Sequence, residues 1–271
     1  MSHKRPATIK YRFLAAAAAV VLAVSALLLT ACGARPDSPQ SAEGVNYIRE
    51  MEQVDVTSVE KEVNAVRQEL FLADVDEKIA EDPDYVWTAL DQINTVMMGD
   101  SRVVPYATYG FMDESRVLAE GGQSVREIVN HYDELRAVNP SLVVLGYGLN
   151  DIGWGFYSPE EYADAMMGYV DDIQAMLPDA YIYIQSIIIP RIQVEEYYDF
   201  PGLVETAIEW NAEEQRIYQE NGYRTIDISD LVEEYSYLFG EDGAHFYADF
   251  YPHLAERILK TYLSDTMEFD D

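Results

Sequence analysis

From about residue 93 onward, short runs of consecutive apolar residues alternate with longer segments whose apolar positions recur every three or four residues. The runs at 95–98, 116–119, 142–147, 181–189 and 225–227 read as strands, with 181–189 the longest and most β-branched. Apolar runs without polar alternation suit parallel strands covered on both faces. Helical segments fall between them, at 123–137, from Pro159 to the stop at Pro178, at 203–221 and at 249–263. Ser158-Pro159-Glu160-Glu161 has the form of a capping box with proline at the first helical position. The helix behind it places Tyr162, Met166, Tyr169 and Ile173 on one stripe. Such an alternation predicts an α/β domain with a parallel sheet over 93–271. Residues 45–92 read as an N-terminal helical extension. There Thr57-Ser58-Val59-Glu60 fits a capping box, and Val59, Val63, Val66, Leu70 and Leu72 recur near helical spacing.

In a parallel sheet, sites form beyond the carboxyl ends of the strands. Four loops then meet at one rim. The first carries Gly99-Asp100-Ser101, the second Gly121-Gly122-Gln123-Ser124, the third Gly148-Leu149-Asn150-Asp151, and the last Asp242-Gly243-Ala244-His245. A serine hydroxyl needs a base before it attacks a carbonyl. Of the four histidines, His245 is the one in a loop with an acid three residues before it, so Asp242 can hold its ring while the far nitrogen takes the serine proton. The Ser101 N–H, the Gly122 N–H and the Asn150 amide are candidate donors to the oxyanion of a tetrahedral intermediate. Arg102 next to the nucleophile is a candidate contact for an anionic substrate, and an ion pair to one of the many acids is its alternative. Trp154, Phe156 and Tyr157 after the third strand are candidates to line an acyl or sugar pocket, with core packing as the alternative, and Trp154 is taken as the substrate contact.

Charge narrows the function classes. Eighteen Lys and Arg against 49 Asp and Glu leave a net charge of −31 over 271 residues, which excludes a nucleic-acid binder as the leading reading. One cysteine, Cys32, rules out a disulfide framework and a cysteine-rich zinc site. The N-terminus places Lys4, Arg5, Lys10 and Arg12 ahead of an apolar run at 13–31. That is the layout of a secretory signal. Leu29-Thr30-Ala31-Cys32 resembles a bacterial lipobox. It implies a signal peptide over 1–31, lipidation of Cys32, a flexible tether over 32–44 and an extracytoplasmic, membrane-anchored protein. A retained transmembrane anchor is the alternative.

Taken in order, the four loop motifs resemble the SGNH (GDSL-type) hydrolase family, whose blocks centre on a serine, a glycine, an asparagine and a histidine. The resemblance covers about residues 94–263. Leu145-Gly146-Tyr147-Gly148-Leu149-Asn150-Asp151 is the closest block. Two positions depart from the pattern: Arg102 stands where an apolar residue is commoner, and Phe246 where proline is common. The resemblance implies a flavodoxin-like three-layer α/β/α sandwich and a serine esterase with Ser101 as nucleophile, His245 as base and Asp242 orienting it. It also implies no metal and no cofactor. The expected partner is an ester substrate, such as an O-acetylated glycan. An O-acyltransferase and a non-catalytic glycan-binding lipoprotein on the same fold are the alternatives.

Overall fold

The computed structural model describes residues 56–152 and 155–267, together with Gly44 and Tyr47. The signal segment, Cys32, the tether and Trp154 lie outside the described residues. The chain divides into two compact units, Met1–Val66 and Arg67–Asp271. The first helix, α1 (Val56–Glu81), begins in one and ends in the other, and Thr57 lies inside it rather than capping it. The larger unit thus takes in the end of α1 and all of α2 (Tyr85–Ile93), and so begins ahead of residue 93. The reason is burial: Val75 of α1, and Val86 and Leu90 of α2, are at most 1% exposed in the core.

Five parallel strands form the sheet: β1 (Thr95–Gly99), β2 (Val117–Ala119), β3 (Leu142–Gly146), β4 (Tyr181–Gln185) and β5 (Thr225–Ile226). Their order is β2-β1-β3-β4-β5, the flavodoxin-like order. The register pairs Thr95 with Leu142 and Gly99 with Gly146. Leu142 in turn faces Tyr181. Side chains alternate across the sheet and feed two cores. Val96, Met98, Val143, Leu145, Ile182 and Ile184 pack on one face with Tyr162, Met166 and Ile173 of α5 (Pro159–Met176), and with Ala207 and Tyr218 of α7 (Leu203–Glu220). Met97, Leu142, Val144, Tyr183 and Ile226 pack on the other face with α2 and with Leu254, Ile258 and Leu259 of α9 (Tyr251–Thr266). That division is the three-layer sandwich.

Two predicted elements differ from those observed. The run 181–189 is strand only as far as Gln185, beside a β5 of just two residues. Its remainder stays buried as loop: the Ser186 N–H donates to the Ile226 carbonyl, and the Ile187 N–H to Asn211 Oδ1 of α7. The segment 123–137 splits into a 3-10 stretch, Val125–His131, and α4 (Tyr132–Val138). Val125 and Ile128 are both fully buried. A three-residue turn stacks positions i and i+3, which suits that pair. Among the described residues, no helix is long and apolar enough to cross a membrane.

Candidate active site

The turn after β1 is built around one buried ion pair. Asp100 is 0% exposed, and its Oδ1 accepts from the Arg102 N–H at 2.9 Å and from Arg102 Nε at 3.0 Å. Arg102 Nη2 donates to Oδ2 at 2.5 Å. The remaining guanidinium nitrogen, Nη1, donates to the Ile188 carbonyl in the loop after β4. Arg102 is itself 5% exposed. Each of its three guanidinium nitrogens donates a hydrogen bond inside the protein, which favours the ion pair over the substrate contact. Burial alone would make the guanidinium easier to deprotonate, but the charge and the hydrogen bonds of Asp100, with smaller contributions from Tyr162 and Asp151, together outweigh it and raise the Arg102 pKa. The pair curls the backbone so that Ser101, between its two members, is left at the surface of the turn.

The histidine loop reaches the same point from the far end of the chain. Ser101 Oγ lies 2.7 Å from His245 Nε2, across 144 residues of sequence. His245 Nδ1 lies 2.6 Å from Asp242 Oδ2. The other carboxylate oxygen of Asp242 accepts from the Ala244 and His245 N–H groups at 3.0 and 3.1 Å. Gly243, at φ +71°, takes the left-handed conformation that closes this loop. Burial pushes the Asp242 carboxyl up, yet its hydrogen bonds from His245 and the two N–H groups hold it below the usual carboxylate range. It is thus a charged partner for a ring that gains a proton. Phe246, in place of a proline, is stacked between Phe239 and Phe250 with centroids 3.8 and 3.6 Å away. That stack anchors the loop from behind.

The other two loops are tied to each other. Asn150 Nδ2 donates to the Gln123 carbonyl at 3.0 Å, leaving its second amide hydrogen available. The Val125 N–H donates to Asp151 Oδ1 at 3.0 Å. Gly122 sits at φ +78° with open space where a Cβ would stand. Among the described residues, no acceptor engages the N–H of Ser101 or of Gly122. Asp151 is fully buried, and Oδ2 has no partner among the described residues. Burial pushes its carboxyl up to about 7, a rise that Asp100 reinforces and that the Val125 hydrogen bond and Arg102 oppose. Burial likewise holds the Glu214 carboxyl of α7 well above its ordinary range.

The structure joins Ser101, His245 and Asp242 in one hydrogen-bonded line and ties the loops of Gly122 and Asn150 to each other. Phe156 is buried in the core against Tyr162, whereas Tyr157 is 88% exposed. Sequence reasoning missed the supports: Asp100 holding Arg102, and Asp151 holding the second loop. An acid two residues ahead of a turn N–H was the available signal for Asp100. Asp151 offered none, because its partner lies 26 positions away. Among the described residues, no group of three or more His, Cys, Asp or Glu side chains is placed to hold a metal ion.

Comparison with known proteins agrees with this geometry. The model of the GDSL-like lipase/acylhydrolase family matches residues 102–253, which span the loops of Gly122, Asn150 and His245. No curated protein matches the chain. Among solved structures, an acylhydrolase from Bacteroides fragilis is 18% identical, with a TM-score of 0.50 over 64% of this chain and 88% of that one. A GDSL-like lipase from Bacteroides thetaiotaomicron is 14% identical, with a TM-score of 0.50 over 67% and 98%. At these identities the likeness is one of fold.

Two outcomes follow from the buried charges. Arg102→Ala leaves Asp100 buried without its counter-charge and lowers stability by about 3–5 kcal/mol, measured by urea unfolding. A loss of under 1 kcal/mol would show the pair to be dispensable. Asp151 carries its proton in the folded chain up to about pH 7, but in the unfolded chain only up to its ordinary value of 3.8. Its contribution to stability is therefore full below pH 4 and declines as pH rises to 7, by about 4 kcal/mol for three pKa units. Asp151→Asn keeps the acceptor for Val125 and removes the charge. Its stability relative to wild type should rise between pH 4 and 7 and then level off. Parallel pH profiles for the two proteins would contradict the assignment.

Proposed function

The chain belongs to the GDSL-like lipase/acylhydrolase family, and from that premise we propose that it is a serine esterase acting through an acyl-enzyme at Ser101. The observation that carries this reading is the continuous hydrogen-bonded line Ser101–His245–Asp242. A binding protein on the same fold has no need of a serine at 2.7 Å from a histidine whose other nitrogen is already held.

Each group has one task. Ser101 Oγ attacks the ester carbonyl while His245 Nε2 takes its proton. Asp242 accepts from Nδ1 and stabilises the imidazolium so formed. The carbonyl oxygen becomes an oxyanion beside the Ser101 and Gly122 N–H groups and the free amide hydrogen of Asn150. Each such donor contributes about 3–4 kcal/mol to the transition state. His245 then gives its proton to the leaving alcohol. A water molecule, deprotonated by the same nitrogen, releases the acid and restores Ser101.

The substrate in this reading is a short-chain ester such as an O-acetyl group on a glycan. The enzyme works outside the cytoplasm, tethered by lipid on Cys32. The support is in the sequence: a basic N-terminus, an apolar run and a cysteine directly after it. One or two acyl chains hold a protein at a bilayer without spanning it.

Two measurements test the proposal. Hydrolysis of p-nitrophenyl acetate by the full-length chain should fall about 10⁴-fold or more in Ser101→Ala. Undiminished activity in that variant would remove Ser101 from the mechanism. Mass spectrometry of the protein from bacterial membranes should find Cys32 as the first residue, carrying a thioether-linked diacylglyceryl group. An intact N-terminus at Met1 would replace the lipid anchor with a retained signal segment.

A further inference from the structure

The loop between β4 and α7 carries an exposed feature that neither core nor catalysis uses. It contains the short helix α6 (Gln193–Tyr197). One side is anchored: Val194 is 1% exposed, and the Arg191 N–H donates to the Gly243 carbonyl at 2.8 Å. A Cβ on Gly243 would lie 3.0 Å from the Val194 nitrogen, so this helix is in contact with the turn between Asp242 and His245. Arg191 is held in turn by the Ser236 carbonyl. The outward side presents Ile192, Tyr197 and Tyr198, which are 65%, 65% and 49% exposed. The two tyrosine rings touch edge to face with centroids 5.0 Å apart. Burial first, and then the Asp242 charge, raise the Tyr198 pKa. On the other side of the histidine loop, Tyr237 and Tyr247 are 69% and 53% exposed.

Large apolar side chains gathered at the surface mark a place of contact. The chemistry here is specific. Tyrosine offers a rigid apolar face at low entropy cost and a hydroxyl at its tip. The surrounding charged groups are mostly carboxylates: Glu196, Asp199 and Glu241 are exposed, against Arg191 on the same loop. Carboxylates accept hydrogen bonds from hydroxyl groups and repel other anions. With a net charge of −31, the whole chain adds to that repulsion. Flat apolar faces, hydroxyls and acceptors together suit a pyranose ring, whose C–H faces are apolar and whose rim is all hydroxyl. They disfavour a uronate polymer or an anionic lipid surface.

From this arrangement we infer that the Tyr197–Tyr198 pair is a sugar-binding platform that makes the enzyme select an acyl group carried on a neutral polysaccharide. The inference rests on the esterase reading above and names its substrate class. Because the platform is braced against the Asp242–His245 turn, a sugar stacked there places its esterified hydroxyl beside the catalytic line. The platform binds the glycan equally in ground and transition states, so its loss acts on KM.

The test compares three substrates with the full-length chain: acetylated xylan as the neutral glycan, acetylated polygalacturonate as the anionic one, and p-nitrophenyl acetate as an ester without sugar. In Tyr197→Ala/Tyr198→Ala, the ratio of kcat/KM on acetylated xylan to that on p-nitrophenyl acetate should fall at least tenfold, through KM. Tyr197→Phe/Tyr198→Phe, which keeps both ring faces, should recover most of it. An unchanged melting temperature shows that the alanine variant is folded, and Tyr197→Ala alone serves if it is not. An unchanged ratio overturns the platform, and so does a wild-type preference for the uronate polymer. If the alanine variant instead loses binding to phosphatidylcholine vesicles with its xylan ratio intact, the surface is a membrane contact and the inference is wrong. Wild-type activity on p-nitrophenyl acetate without any on acetylated xylan overturns the platform while leaving the esterase standing. Inactivity on every ester overturns both.

Discussion

The site hangs on the ion pair between Asp100 and Arg102. Two residues apart in one turn, and almost wholly out of water, they hold the backbone on either side of Ser101. The same guanidinium binds the Ile188 carbonyl, and the Arg102 carbonyl accepts from the Tyr251 hydroxyl at the start of α9. A few residues beyond Ile188, the chain hydrogen-bonds through Arg191 to Gly243, inside the turn that delivers His245. One residue thus links the nucleophile turn and the loop after β4 through its guanidinium, and the last helix through its carbonyl. A buried charge of this kind is costly to place and more costly to break, so it specifies a geometry more than it adds stability.

Around that pair, two carboxyl groups show how environment assigns roles. Asp242 accepts three hydrogen bonds and stays ionised. Asp151 accepts one, in a dry setting that already holds Asp100, and keeps its proton near neutral pH. The first is a counter-charge for His245. The second joins the loop of Gly122 to the loop of Asn150 without placing another negative charge beneath a site that must stabilise an oxyanion. A chain with 49 acidic residues has many carboxylates to choose from, and burial with hydrogen bonding, not identity, separates these two.

The rim adds a different layer. Its buried aromatics, Phe239, Phe246 and Phe250, brace the histidine loop from within. Its exposed ones, Tyr197 and Tyr198, stand on a helix whose Val194 supplies the packing, so they are free to meet a ligand. Support and recognition are thus carried by different faces of the same short elements.

How much of this was legible beforehand depends on the range of the interaction concerned. The strands, the order of layers and the four rim motifs follow from local pattern: apolar runs of strand length, helical periods, and glycine-rich turns at strand ends. Periodicity and turn chemistry are set by neighbours within a few residues, so a sequence displays them directly. The limits of β4 were not legible, because they depend on pairing with strands distant in sequence. The role of Arg102 was not legible either. A cation beside a nucleophile reads equally as a substrate contact or as an ion pair, and only packing shows that each of its guanidinium nitrogens is engaged inside the protein. The meeting of Ser101 with His245 across 144 residues, the tie between Asp151 and Val125, and the hydrogen bond from Arg191 to Gly243 are tertiary facts. By itself the sequence determined which chemical groups the rim can offer. Burial and long-range contact decided which of them face one another, which are charged, and which remain free for a substrate.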